Sequence, residues 1–153
     1  MISARLVLAT AAAVAILSSA ACENLDVVTD AYATLSEAEA AGAIERGSLP
    51  HGLPPGTREL RVAHDLDSNR RWGLFNFPVA EADALRTLLA SEISFDGITC
   101  SPPRRIEWWP LLLRERLDGE QIKATGLRGY GAKNSDLLFA INWAQGRAYY
   151  WSR

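Results

Sequence analysis

Cysteine is scarce in this 153-residue chain. Cys22 and Cys100 are the only two, too few for a disulfide framework or a paired-cysteine metal site. Histidine is as rare, at His51 and His64, and their separation leaves no zinc-type pair on one helix face. A phosphate-cradling glycine loop and a Ser nucleophile elbow are both missing. Charge of one sign is missing too: sixteen Lys and Arg face eighteen Asp and Glu, a net of −2, so no basic field exists to attract nucleic acid. Nucleic acid is therefore not an expected partner, and no cofactor is expected. Eleven glycines and seven prolines are too few for a collagen-like fibre, and 48% hydrophobic residues are too many for disorder. What remains is a globular protein, and the length allows one domain.

There is one long apolar run, at the start. Arg5 precedes Leu6 to Leu17, interrupted only by Thr10, and the small residues Ser18, Ser19, Ala20 and Ala21 lead into Cys22. A basic n-region, a short h-region and a small-residue cleavage region form a secretory signal, and the run is too short and Ala-rich for a spanning helix. The Cys after the small residues resembles a bacterial lipobox, although Ser19 stands where Leu is usual. That resemblance implies cleavage before Cys22, acylation of its thiol by palmitate-type chains, and a membrane held through the N-terminal lipid. Each buried methylene contributes about 0.8 kcal/mol, so two or more chains anchor stably. By the same resemblance, Glu23, rather than Asp, after the Cys implies the periplasmic face of the outer membrane. The competing reading is an unmodified Cys22 paired with Cys100. Removing residues 1–21 takes away Arg5 and no acid, which moves the net charge from −2 to −3.

The expected organisation is a signal peptide over 1–21, a lipidated N-terminus and tether over 22–33, and one α+β domain over 34–153. Residues 23–31 have no strong period and read as a tether or an edge strand. Two capping boxes, Thr34 with Glu37 and Ser36 with Glu39, open a helix that Gly47 ends, with Gly42 a cost inside it. Leu35, Ala38, Ala41 and Ile44 would line its buried face. Alternation at Leu60, Val62, His64 and Leu66 predicts a half-buried strand, and the Asp67–Arg70 turn leads to a second strand over Trp72–Phe77. The 79–90 segment has Ala82, Leu85, Leu88 and Leu89 at helical spacing. Pro110 opens a short helix through Leu117, and 121–125 reads as a strand. Asp136–Trp143 and Arg147–Trp151 form a closing hairpin. The fold class expected is a small antiparallel sheet of about four to five strands with two to three helices packed on it.

Two constellations carry chemistry. Asp65, Asp67 and Asn69 alternate like the first ligands of a calcium loop, but Arg70 replaces the glycine of the sharp turn and Asn76 stands where the closing Glu belongs. The favoured reading gives these polar groups to the hairpin turn, with Asp67 and Asn69 bonding backbone and Asp65 paired with an Arg; no metal is expected. His64 and Asp65 point to opposite strand faces, which argues against a shared ligand. The second constellation is aromatic: Trp108, Trp109, Trp143 and Trp151 fall after residue 100, beside Tyr149 and Tyr150. Such density forms either a core or a groove for peptide or glycan. The candidate binding surface is thus His64, Asp65, Asp67, Asn69, Trp72, Trp108 and Trp109. Cys100, ahead of Pro102 and Pro103, reads as a small buried apolar side chain without a placeable base, so no catalytic residue is expected.

Tyr32-Ala33-Thr34-Leu35, Glu39-Ala40, Gly47 with Leu49-Pro50, Leu53-Pro54, and His64 to Asn69 with Trp72 resemble the YbbD head domain of bacterial proteins, over roughly residues 30–77. Ser48 departs from an aromatic at that position. The resemblance implies a common domain and no particular activity. Two functions follow as expectations: a non-enzymatic envelope lipoprotein presenting the domain to a protein or cell-wall partner, or a ligand-binding, metal-binding or hydrolytic domain using the His64–Asn69 hairpin.

Overall fold

The run Leu137–Asn142 is continuously buried rather than alternating, and a strand of that kind needs cover on both faces. The structure, a computed structural model describing residues 26–153, supplies both covers. In chain order the elements are β1 (Val27–Thr34), α1 (Leu35–Ala40), β2 (Arg58–Asp65), β3 (Arg70–Asn76), α2 (Ala82–Arg86), β4 (Leu89–Ile93), β5 (Thr99–Cys100), β6 (Glu115–Arg116), α3 (Gly119–Ala124), β7 (Arg128–Ala132), β8 (Leu137–Asn142) and β9 (Arg147–Ser152). Seven strands make one sheet in the order β1-β2-β3-β9-β8-β7-β4, antiparallel throughout, while β5 and β6 pair separately.

Alternate residues of the central strands serve opposite cores. On one face Leu60, Val62, Phe75, Phe139, Ile141 and Tyr150 pack under α1 and the loop carrying Leu49 and Leu53, with Leu85 from α2. On the other, Ala63, Trp72, Leu138, Ala140 and Trp151 pack under Phe95, Cys100, Ile106, Trp109, Leu113 and Ile122. The expected small sheet with helices layered on it is therefore corrected: the sheet has seven strands, and the helices have only six, five and six residues. Helices so short cannot form a layer by themselves, and irregular loops complete both covers.

The reasons lie in particular residues. Thr34 caps α1 as predicted, its hydroxyl accepting from Glu37 N at 3.2 Å. The helix stops at Gly42 rather than Gly47. Gly42 adopts φ 71°, its N–H donates to Glu39 O at 2.9 Å, and Ala43 N–H donates to Ala38 O at 3.0 Å, which is a Schellman stop. The residue counted as a cost within the helix is its terminator, and Ala41, expected on the buried face, is exposed. The 79–90 segment is helical only through Arg86, because Leu89 pairs with Ala132 and begins β4. The Pro110 helix is a 3-10 turn over Leu111–Leu113, ended at Arg114, which is already extended and leads into β6. The strand expected at 121–125 is α3, capped by Asp118, whose carboxylate accepts from Gln121 N at 3.0 Å. Both expected hairpins are present, β2–β3 and β8–β9, and of the two readings given to residues 23–31, tether or edge strand, the edge strand holds from Val27, where β1 forms one edge of the sheet through Thr34.

One close approach fixes the centre. Tyr150 lies across Gly73, its cross-strand partner, so tightly that a Cβ there would sit 2.2 Å from the ring. The phenol then donates to Ser48 O at 2.6 Å, tying the first cover to the sheet. Burial pushes the Tyr150 hydroxyl far above its ordinary value.

Candidate functional site

The β2–β3 hairpin tip carries the polar residues singled out from the sequence. Asp65 ends β2, and its carboxylate accepts from Asp67 N (3.0 Å), Ser68 N (3.3 Å) and Ser68 Oγ (2.8 Å). The Ser68 hydroxyl, more than any other contact, holds the Asp65 carboxyl below its usual range. The backbone-bonding role expected of Asp67 thus falls to Asp65, with Arg70 nearby, and no Arg pairs with Asp67 among the described residues. Asp67 is fully exposed, and the neighbouring Asp26 carboxylate raises its pKa. Asn69 sits at φ 55°, in the left-handed region Asn tolerates, and its Oδ1 lies 2.8 Å from His64 Nε2. Leu66, expected to face the core, lies beyond the strand and is 59% exposed.

The tip borders a depression of about 190 Å³ lined by Asp26, Asp65, Asp67, Arg70, Trp72 and Ser101 among others. Arg70 crosses the Trp72 ring at 5.4 Å from its centroid. Sequence reasoning missed Asp26 and Ser101, which come from the strand edge and the distant β5 loop. No local pattern links them. Among the described residues, no group of three or more His, Cys, Asp or Glu side chains is arranged to hold a metal.

The aromatic residues divide differently. Trp72 and Trp109 are each 2% exposed and belong to the second core, so they offer almost no binding surface. Trp109 donates from Nε1 to Leu113 O at 2.7 Å and meets Trp151 and Tyr149 edge-on, with centroids 6.1 and 5.8 Å away. Trp108 is half-buried and walls a separate hollow of about 560 Å³ that also includes Tyr32, Arg61, Leu74 and Arg147. Arg147 there donates to Asn76 Oδ1 at 2.9 Å, and the Asn76 amide donates to Glu59. Trp143 lies elsewhere, with the Arg86 guanidinium 4.0 Å from its ring centroid and its own N–H donated to Tyr130 Oη at 3.0 Å.

Cys100 is fully buried in the second core, as expected for a small apolar side chain. Burial pushes its thiol up to about 12, while the Trp72 indole and the Arg70 and Arg114 cations pull the other way. A thiol held neutral is neither a nucleophile nor a ligand at ordinary pH. Cys22 and the signal-type segment lie outside the described residues.

Comparison with known proteins matches the geometry in one region. No curated protein matches the chain, and no solved structure does. The model of the YbbD head domain matches residues 26–76, which run from the residue before β1 to the last residue of β3. The matched segment is therefore the β1-β2-β3 meander with the loop that covers its first face, and β9, β8, β7 and β4 complete the sheet beyond it. Residues 26–76 of this chain carry the YbbD head domain signature of an uncharacterised bacterial family.

Proposed function

We propose that this chain is an exported, lipid-anchored protein of the bacterial cell envelope, on the periplasmic face of the outer membrane. In this role the sheet domain is presented, without catalysis, to a protein or cell-wall partner. The observation that carries the reading is the order Arg5, Leu6–Leu17, Ser18 to Ala21, Cys22, followed almost at once by the fold: β1 begins at Val27. Four steps separate Cys22 from Asp26, a reach of at most about 14 Å at full extension. An acylated Cys22 would hold the N-terminal end of β1 close to the bilayer. Leu66 N donates to Asp26 O at 2.9 Å, so the β2–β3 tip would lie on the same side.

A role for that tip in presentation rather than turnover is supported by what Asp65 does. Its carboxylate holds three bonds of the turn, which leaves Asp67 and His64 on a shaped but exposed hairpin. Fractionation of cells expressing the full chain tests the anchoring. Wild type is expected in the membrane fraction, released by detergent and not by salt, and Cys22→Ala or globomycin should leave an uncut precursor that retains residues 1–21. Wild-type protein recovered in the soluble periplasm would overturn the proposal.

A further inference from the structure

The two edges of the sheet are unlike. β4 is short, is interrupted by a register shift between Leu89 and Glu92, and carries Glu92 in an ion pair with Arg128 at 3.8 Å. Devices of this kind keep an edge from pairing further. β1 has none of them. Its eight residues, Val27-Val28-Thr29-Asp30-Ala31-Tyr32-Ala33-Thr34, include no proline or lysine and one charge, and Val28 is 45% exposed.

The direction of its free backbone groups follows from one bond. Asp26 O accepts from Leu66 N, so Asp26 points toward β2, and by alternation Val28, Asp30 and Tyr32 do as well. Val27, Thr29, Ala31 and Ala33 point outward. The Ala33 N–H is already taken, donating to Glu37 Oε2 at 2.9 Å. Among the described residues, Val27, Thr29 and Ala31 remain as the open edge.

Charge says what fits there. The N-terminal end of β1 lies beside Asp26, Asp65 and Asp67, and Arg70 at that end lies over Trp72. The C-terminal end carries Arg46, which donates to Tyr32 Oη at 3.4 Å, and Arg58, opposite Thr34. Arg61 and Arg147 also lie beside Tyr32, so four cations at that end outnumber Glu37, Glu39 and Glu59, whose carboxylates keep their charge because Glu37 and Glu59 bond only the neutral Ala33 N–H and Asn76 amide. An antiparallel strand of the same sequence sets the acidic end of one copy against the basic end of the other.

We propose that β1 pairs with β1 of a second copy of this chain, antiparallel and two-fold symmetric about Thr29, joining two seven-stranded sheets edge to edge. This register uses only the open residues: Thr29 faces Thr29, and Val27 faces Ala31 in both directions, giving about six main-chain hydrogen bonds. The cross-strand Thr–Thr pair at the centre is itself favourable. A shift of one step in each copy's favour would set Asp30 directly against Asp30, so like-charge repulsion selects against it.

The test uses full-length chains carrying two different tags, co-expressed and solubilised from membranes in detergent. Wild-type copies co-purify. Thr29→Lys against itself loses at least ten-fold, because two cations meet on the axis, and Thr29→Lys with Thr29→Glu recovers the pairing. Oxidation joins Thr29→Cys to itself, since directly opposed Cα atoms about 5.5 Å apart lie within disulfide range. Ala31→Cys does not join to itself, being about 13 Å from its copy. The proposal is overturned if wild-type copies fail to co-purify, if the Lys and Glu variants together do no better than Lys alone, or if Ala31→Cys cross-links as readily as Thr29→Cys. Position 29 is exposed and its variants share one folding burden, so the contrast among them reads the interface and not the fold.

Discussion

On one face of the sheet the largest buried ring, Tyr150, hands its hydroxyl to the Ser48 carbonyl of the covering loop at 2.6 Å. On the other, Trp151 is equally buried, yet its indole N–H has no hydrogen-bond partner among the described residues, and that of Trp72 has only the weakly accepting Cys100 sulfur beside it. The first cover is tied on by a polar bond as well as packing. The second is held by aromatic edges, with Trp109 T-shaped against Trp108, Tyr149 and Trp151 and Phe95 tilted on Trp151. The contrast teaches that one sheet can be closed by two kinds of specificity. A directional bond to a buried ring fixes where the YbbD-type loop sits, while aromatic packing does most to seat the segment from Phe95 to Leu127, whose polar tie to the sheet is the Arg128 guanidinium donating to Lys123 O at 3.3 Å at its exposed end. Both covers are needed because β8 is buried at every residue, and the matched region, ending at Asn76, leaves β3 dependent on β9 as its neighbour.

The comparison breaks most severely if shape is removed. Trp151→Ala should cost about 3–5 kcal/mol in chemical denaturation, since it opens a cavity against Trp109 and Phe95. Gly73→Ala should cost about 1–3 kcal/mol by forcing Tyr150 off its place, and Tyr150→Phe about 1–2 kcal/mol by leaving the Ser48 carbonyl unpaired. Equal effects of Tyr150→Phe and a silent control would remove the claimed difference between the faces. Cys100 sharpens the same contrast at lower cost. Buried, with its thiol raised to about 12, it should resist iodoacetamide at pH 8 in the native chain and react once the chain is unfolded.

The smallest effect belongs to the hairpin tip. The Asp65 carboxyl is held below its unfolded value, so its contribution to the turn is present above about pH 4 and is lost as pH falls through the lowered folded value. Asp67 runs the other way: with Asp26 raising its pKa, it takes up a proton first, relieving repulsion before the turn weakens. The Asp67 and Ser68 amide resonances should follow the lower of these steps, and Asp65→Asn should abolish it.

What the sequence made legible was local. Both hairpins were readable because turn residues sit between apolar runs, and the Thr34 cap because its partner is three residues away. The rest depends on distant partners. Leu85 and Leu89 suit one helix equally well, and only the pairing of Leu89 with Ala132 takes the second into a strand. β7 has weak strand propensity because Gly129 and Gly131 interrupt it, yet Gly129 is required: a Cβ would fall 2.7 Å from Ile93 O. At the candidate site the acidic tip was visible in the sequence, but Asp26 and Ser101 reach it only through the fold.

The measurement that bears most directly on the account is intact-mass and N-terminal peptide spectrometry of the protein extracted from membranes. The account predicts a mature chain beginning at Cys22, heavier than its sequence by a diacylglyceryl group, with or without a further acyl chain on the amine. An N-terminus elsewhere, or a Cys22 of unmodified mass, would contradict it.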